Sequence, residues 1–214
     1  MEAGKDKRIF ETAGVVIVWL TVLLQLILAV LNRQVSVPET IIRFFSYFTI
    51  LTNILVAIAF TALRDVWGNK WKAFFAHHGN FTAVTVYILI VGIIANLVLR
   101  GLVKMEGLQR LVDEFLHVVI PLMVLIYWLS YVGTKSSAIH WNQMWKWLLY
   151  PLVYCIYIMI RGSFSHFYPY PFMNADKLGY PAVLLNSVYV TLAFLVVSII
   201  LIAYVKFRNR RLVT

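Results

Sequence analysis

The stretch TAGVVIVWLTVLLQLILAVL, residues 12–31, decides the fold class of this chain. It runs for 20 residues without a charged side chain. An α-helix rises about 1.5 Å per residue and the hydrocarbon core of a bilayer is about 30 Å thick, so a helix of this length crosses the core. The stretch is too long for the apolar core of a signal peptide, and no small-residue cleavage site follows it. We therefore expect it to remain in the protein as a transmembrane helix.

Five further apolar segments of comparable length follow, and the sequence predicts transmembrane helices at residues 38–63, 82–103, 112–132, 145–160 and 181–205. Hydrophobic residues make up 62% of the chain and charged residues 13%, against roughly 45–50% and about 25% in soluble domains. The loops are short, and no internal repeat or signal for a discontinuous helix is present. We predict an all-α fold, a single integral membrane domain over residues 1–214 with six transmembrane helices.

The basic residues are distributed unequally between the two sets of loops. Twelve of the 19 Lys and Arg residues fall on the side that carries both termini, and seven fall on the other side. Because insertion leaves positive loops preferentially inside, we expect the N and C termini to be cytoplasmic. This predicts a multi-pass membrane protein, in the cell membrane if the source is a bacterium. The basic residues cluster at segment ends and not along one face, so we expect no nucleic-acid partner.

An ionisable side chain inside the fourth segment is the strongest functional signal. His117 lies about six residues into this segment, and burying such a group in hydrocarbon costs at least about 2.5–3.5 kcal/mol. Asp113 lies four residues earlier on the same helical face, where a carboxylate fixes the imidazole tautomer and raises its basicity. Alternatively, His117 donates to a carbonyl of a neighbouring helix. Pro121 adds another feature, because a proline frees the carbonyl four residues before it, which is that of His117.

A polar stripe runs along the second segment. Ser46, Thr49 and Asn53 share one helical face, and Thr52 lies nearby. Such hydroxyls usually bond to their own backbone or to a neighbouring helix, which is the alternative to a functional role. The second and fourth segments both start from the outer side, so Thr49 and His117 are expected at similar depths. We predict that this hydroxyl and this imidazole meet between the helices.

Further polar residues gather at the outer ends of the segments. Asn96 and Arg100 are spaced four residues apart on one helical face, which favours the rim of a pocket. Arginines at this level either extend to lipid headgroups or pair with carboxylates, including that of an acidic ligand. The candidates for holding a ligand carboxylate or an oxyanion are Arg43, Arg100 and Arg161. An aromatic and proline-rich stretch, residues 166–172, is expected to be a stiff cover or a lid over the pocket.

The sequence lacks the motifs of several common classes of enzyme and metal site. The chain has no G-x-S-x-G nucleophile elbow, no H-E-x-x-H zinc pair and no glycine-rich phosphate loop. His117 is the one deep histidine, whereas a haem held by two histidines needs two. The single cysteine, Cys155, forms neither a disulfide framework nor a thiolate metal site. We therefore expect no metal and no cofactor.

The motifs around Thr49, His117-x-x-x-Pro121 and the Tyr-Pro-Tyr-Pro-Phe run of residues 168–172 resemble the androgen-induced gene 1 family, which also includes the androgen-dependent tissue-factor-pathway-inhibitor-regulating protein. The likeness covers most of the chain in order and spacing and indicates a bacterial member. It implies a six-helix membrane hydrolase of fatty acid esters of hydroxy fatty acids, with a threonine nucleophile and a histidine base. The family's threonine matches Thr49, and its histidine matches His117. Family members carry Asn or Asp three residues after the threonine, whereas Thr52 stands here, so Thr52 remains a rival nucleophile.

The leading hypothesis is therefore a cofactor-free lipid esterase whose partners are an ester substrate and membrane lipids. Thr49 attacks the carbonyl and His117 takes its proton, while Asn53, Asn96 or Arg161 stabilises the oxyanion. A first alternative is a small transporter or channel with an ion pathway through Arg100, Arg161, Asp113 and His117. A second alternative is a lipid-binding protein without chemistry. The sequence leaves the oligomeric state open.

Overall fold

A computed structural model of the protein describes residues 2–102, 105–134 and 139–210, and within these ranges every regular element is helical. Five helical stretches are long and apolar enough to cross a membrane: Gly4–Leu31, His78–Leu99, Gly107–Val132, Gln143–Ser165 and Tyr180–Arg208. A bent pair, Val37–Phe44 and Phe48–Leu63, makes a sixth if the two are counted as one span. The all-helical fold and a set of five or six apolar spans agree with the sequence and are compatible with a multi-pass membrane protein.

The elements follow one another without strands between them in the described ranges. We label the α-helices in chain order as α1 (Glu2–Leu31), α2 (Val37–Phe44), α3 (Phe48–Leu63), α4 (Asn69–Ala76), α5 (His78–Ile94), α6 (Gly107–Glu114), α7 (Ile120–Tyr127), α8 (Gln143–Trp147), α9 (Leu149–Ser165), α10 (Ala175–Leu178) and α11 (Tyr180–Arg210). Turns of π-helix extend α5 through Ala95–Leu99 and flank α7 at Phe115–Val119 and Trp128–Val132. The predicted end of the third segment, Val103, lies outside the described residues, as do Lys104, Lys135 and Arg211 from the charge count.

The second predicted segment, residues 38–63, is not one continuous helix, so the expectation that no helix is discontinuous was wrong. The axes of α2 and α3 differ by 70° across a short break. Tyr154 of α9 donates from its hydroxyl to the carbonyl of Ser46 at 2.9 Å, and Tyr47 has an extended backbone. The break is therefore held by a hydrogen bond from a distant helix, and α3 begins inside the bundle, where its first backbone N–H groups have no acceptor within the helix.

The π turn Phe115–Val119 sets the position of His117. Pro121 cannot donate to the His117 carbonyl, as the sequence predicts, and Asn96 donates to that carbonyl from its side chain at 3.2 Å. Gly92 permits the close approach, because a Cβ there would lie 3.0 Å from the same carbonyl oxygen. The His78–Leu99 and Gly107–Val132 stretches are therefore in close contact at the level of His117.

An aromatic cluster around Tyr127 forms the core near the start of α1 and the end of α11. Tyr127 is buried among Phe60 and Phe81, with ring centroids 5.3 and 5.0 Å from its own. Its hydroxyl donates to the buried Glu11 at 2.7 Å. Near this point, Arg208 of α11 donates to the carbonyl of Leu129. The start of α1 and the end of α11 therefore lie at the same end of the bundle.

Candidate active site

Thr49 lies at the second position of α3, immediately after the break, and is 8% exposed. Its Oγ1 atom is 3.4 Å from Nε2 of His117. The predicted meeting of hydroxyl and imidazole is therefore present. The distance is long for a hydrogen bond between a hydroxyl and a ring nitrogen.

The other ring nitrogen of His117 determines its tautomer. Nδ1 lies 2.9 Å from Oδ1 of Asp113 and 3.0 Å from the Asp113 carbonyl oxygen. Both partners accept hydrogen bonds, so in the neutral form of the ring Nδ1 carries the proton and Nε2 presents its lone pair. The Thr49 hydroxyl consequently donates to Nε2. Asp113, His117 and Thr49 form a carboxylate–imidazole–hydroxyl line that can draw a proton from the hydroxyl.

Sequence reasoning missed Tyr170 as a member of this site. Its hydroxyl accepts from the Thr49 backbone N–H at 3.2 Å and lies 3.3 Å from Thr49 Oγ1. The ring stacks on Phe172 with a 7° angle between planes and meets Tyr47 edge-on. Burial raises the pKa of Tyr170 to about 12, so the phenol keeps its proton at neutral pH. The aromatic run drew attention to the segment but gave no means of selecting this residue.

Two cavities meet at Thr49 and Tyr170. The first, of about 760 Å³, is bordered by His117, Asp113 and Asn96, and its other charged lining residues are Arg33, Arg43, Arg100, Arg110 and Glu114. The second, of about 840 Å³, lies among α5, α9 and α11 and is lined largely by apolar side chains. We call them the basic cavity and the apolar cleft. Thr49, Ala95, Leu99 and Tyr170 border both.

Among the predicted arginines, two line the basic cavity and one does not. Arg43 bonds Glu39 at 2.7 Å, and Arg100 bonds both carboxylate oxygens of Glu114 at 2.8 Å. Arg161 also bonds Glu39, at 3.1 Å, and lines neither cavity. It therefore stands away from Thr49, and the idea that it meets the oxyanion is not supported by its position.

Sequence reasoning left both Arg33 and Arg110 out of the candidate site residues. Both line the basic cavity, and neither forms an ion pair with a described acid. The carboxylates of the cavity are held by Arg100 and His117. Arg33 and Arg110 are thus the cations of the lining that have charge to offer an acidic ligand.

The remaining candidates, Thr52, Asn53 and Asn96, form hydrogen bonds to residues around Thr49 and His117. Thr52 is fully buried, contacts the Tyr150 hydroxyl at 3.3 Å and lines neither cavity, which disfavours it as the nucleophile. Asn53 donates to the carbonyls of Thr49 and Leu116 at 2.8 and 3.5 Å. Its amide thus ties α3 to the segment that carries His117. Asn96 supports His117 through its carbonyl.

The stretch at residues 166–172 forms part of the wall of the site. Phe167, Pro169, Tyr170 and Pro171 line the basic cavity. His166 points away from it and pairs with Asp176 at 3.0 Å on the exposed side. No cluster of three or more metal-ligating His, Cys, Asp or Glu side chains occurs in the described part of the chain.

Comparisons with protein-family models, with curated proteins and with solved structures find no match for this chain. The site is therefore interpreted from its own geometry. Its arrangement brings together a hydroxyl, an imidazole and a carboxylate that contacts the imidazole.

Proposed function

We propose that this protein is a membrane-embedded lipid ester hydrolase of the threonine-nucleophile type, related to the androgen-induced gene 1 family. One observation carries the proposal. The line from Asp113 through His117 to Thr49 ends where the basic cavity meets the apolar cleft. A reactive hydroxyl between a cationic compartment and an apolar one suits an ester that joins an acidic part to a long hydrocarbon chain.

The reaction follows from the hydrogen-bond directions. Thr49 Oγ1 bonds to the ester carbonyl carbon, its proton passes to Nε2 of His117, and the carbonyl electron pair moves onto oxygen. Collapse of this intermediate expels the alkoxide, which takes the proton back from His117. Water then attacks the acyl-threonine ester with His117 as base, which releases the fatty acid and restores Thr49. Asp113 stabilises the imidazolium in both halves. No cofactor is needed.

The two compartments suggest the substrate class. Arg33 and Arg110 provide unpaired positive charge for a carboxylate in the basic cavity, while the apolar cleft takes the acyl chain. Fatty acid esters of hydroxy fatty acids, and related acyl esters, have this composition.

The proposal includes the orientation of the bundle. The start of α1 and the end of α11 lie at the same end of the bundle, and the loops on their side carry most of the Lys and Arg residues. Both termini would then face the cytoplasm, with Thr49 in the outer half of the bilayer. A tag at the C terminus that is digested by protease added outside intact cells would contradict this orientation.

The experiment is hydrolysis of a fatty acid ester of a hydroxy fatty acid by the purified protein in lipid nanodiscs. Thr49→Ala is expected to reduce turnover to background, and His117→Ala to lower it about 10²–10⁴-fold. Thr52→Ala is the matched control, since it removes a buried threonine hydroxyl three residues away and should retain turnover. A fluorophosphonate probe should label Thr49, as located by mass spectrometry. Equal turnover by the parent and Thr49→Ala would rule the mechanism out.

The apolar cleft also fits a lipid-binding protein without chemistry. In that case the parent would copurify with lipid esters that stay intact during long incubation, and the probe would label neither threonine. The same samples therefore distinguish the two functions.

A further inference from the structure

An ester hydrolase needs a donor for the oxyanion, and the predicted donors are occupied elsewhere. Asn53 uses its amide on backbone carbonyls, Asn96 uses its amide on Gly92 and His117, and Arg161 lies on Glu39 outside both cavities. A preorganised donor aimed at the developing charge is usually the largest single contribution to such catalysis. The donor must lie about 3 Å from an oxygen attached to the carbon that Thr49 attacks.

Tyr170 meets this requirement. Its hydroxyl is 3.3 Å from Thr49 Oγ1, so an oxygen on the carbon bonded to Oγ1 falls within its reach. The same hydroxyl accepts from the Thr49 N–H and therefore has its proton free to donate. The ring is 7% exposed and is fixed by Phe172 and Tyr47. The donor is thus rigid, largely shielded from water and on the border of both cavities.

We propose that the Tyr170 hydroxyl is a catalytic residue that donates a hydrogen bond to the oxyanion formed when Thr49 attacks an ester carbonyl; this inference rests on the hydrolase function proposed above. In the resting site the Tyr170 proton points to Thr49 Oγ1, whose own proton points to His117. When Oγ1 bonds to carbon, it becomes a poorer acceptor and the carbonyl oxygen gains negative charge. The Tyr170 proton then turns to that oxygen, a movement that breaks no covalent bond.

The competing interpretation is that Tyr170 only caps the start of α3 by accepting from Thr49 N–H. The two roles use opposite properties of the hydroxyl. A cap needs a good acceptor, whereas an oxyanion donor needs an acidic proton. Experiments that change acceptor and donor strength in opposite directions therefore separate them.

The first experiment compares Tyr170→Phe with the parent and with Tyr150→Phe. Tyr150 is the matched control, because its hydroxyl also contacts a threonine, Thr52, yet it lines neither cavity. Tyr170→Phe is expected to lower kcat about 10²–10³-fold with little change in KM. It should weaken a trifluoromethyl ketone, which forms a charged tetrahedral adduct on Thr49, by a similar factor. Binding of the product fatty acid should stay unchanged.

A Tyr170→Phe variant with parental kcat and parental ketone affinity would overturn the proposal while leaving the hydrolase intact. Loss of product binding in parallel with kcat would also overturn it, because this would indicate a collapsed site. If the parent and Thr49→Ala hydrolyse the ester equally, the hydrolase function itself fails, and this inference fails with it. The three results are distinguishable.

A second variant covers the case in which Tyr170→Phe does not fold. Replacing Tyr170 with 3-fluorotyrosine keeps the ring and hydroxyl but makes the phenol a stronger donor and a weaker acceptor. We expect kcat to be retained or raised. A fall in kcat accompanied by a lower unfolding temperature would identify Tyr170 as a cap and overturn the proposal.

Discussion

At the scale of single residues, the site depends on which atom carries each proton. His117 is held by two acceptors on the same ring nitrogen, so its free nitrogen faces Thr49. The spacing of Asp113 and His117 in the sequence was sufficient to predict this pairing. The sequence was also sufficient for the Thr49 contact, because helical rise converts position along a span into depth. The contact of Tyr170 with Thr49 could not be predicted from the sequence, because Tyr170 lies in a loop 121 residues further along the chain.

Asp113→Asn tests the tautomer directly. The amide removes the charge that stabilises the imidazolium. It can also donate to Nδ1, which places the ring proton on Nε2, so that Nε2 no longer has a lone pair to accept the Thr49 proton. We expect kcat to fall by about 10²-fold or more, with slower labelling of Thr49 by a fluorophosphonate. Asp176→Asn is the matched control, because Asp176 pairs with His166 at 3.0 Å on the exposed side of the loop. If both variants behaved alike, the Asp113 contact would have no catalytic role.

At the scale of elements, irregular helices create the site. The break before α3 exposes the backbone of Thr49, and the π turn before α7 presents His117 towards it. The break escaped prediction because residues 38–63 are apolar throughout most of their length and contain no internal proline. The hydrogen bond that holds it comes from Tyr154, 108 residues away in the chain. The Pro121 signal, in contrast, was local, and its effect on the His117 carbonyl was predicted correctly.

Gly92→Ala tests whether the close approach of α5 to His117 matters. The added Cβ would lie 3.0 Å from the His117 carbonyl oxygen and 3.3 Å from the Pro121 ring. Crowding of this kind costs about 1–3 kcal/mol, offset by about 1 kcal/mol of helix propensity. We therefore expect a small fall in unfolding temperature but a large fall in ester turnover. Gly133→Ala is the control, because its added Cβ would lie 3.0 Å from the Trp128 ring and not beside His117. This variant should lower the unfolding temperature slightly without lowering ester turnover.

At the scale of the whole molecule, the basic cavity and the apolar cleft share Thr49 and Tyr170 in their walls. Under the proposed function, these two compartments would govern which substrates fit. The composition predicted a bundle of apolar spans, and the structure has five or six. The compartments themselves were not predictable, because cavities depend on how side chains from α5, α9 and α11 leave space between them. That Arg161 bonds Glu39 outside both cavities was not predictable for the same reason. The sequence indicated how far along its helix Arg161 lies, but not which side of the helix faces the cavities.

Cys155→Phe tests the apolar cleft. The larger side chain fills part of the space between α9 and α11, so KM for long-chain esters should rise while hydrolysis of acetyl esters stays near parental. Ile156→Phe is the control, since this neighbour is 51% exposed on the outer face and outside the cleft. An equal effect of Cys155→Phe on both ester lengths would place the acyl chain elsewhere.

The start of α3 at Thr49 has one further consequence, which concerns the end of the reaction. The first turn of this 16-residue helix carries partial positive charge that favours anions. Under the proposed function, the neutral ester would gain little from this charge, whereas the fatty acid carboxylate would be generated beside it. We therefore expect product inhibition, with hydrolysis slowing as free fatty acid accumulates in the surrounding bilayer. The rate of hydrolysis would then depend on the local content of its own product.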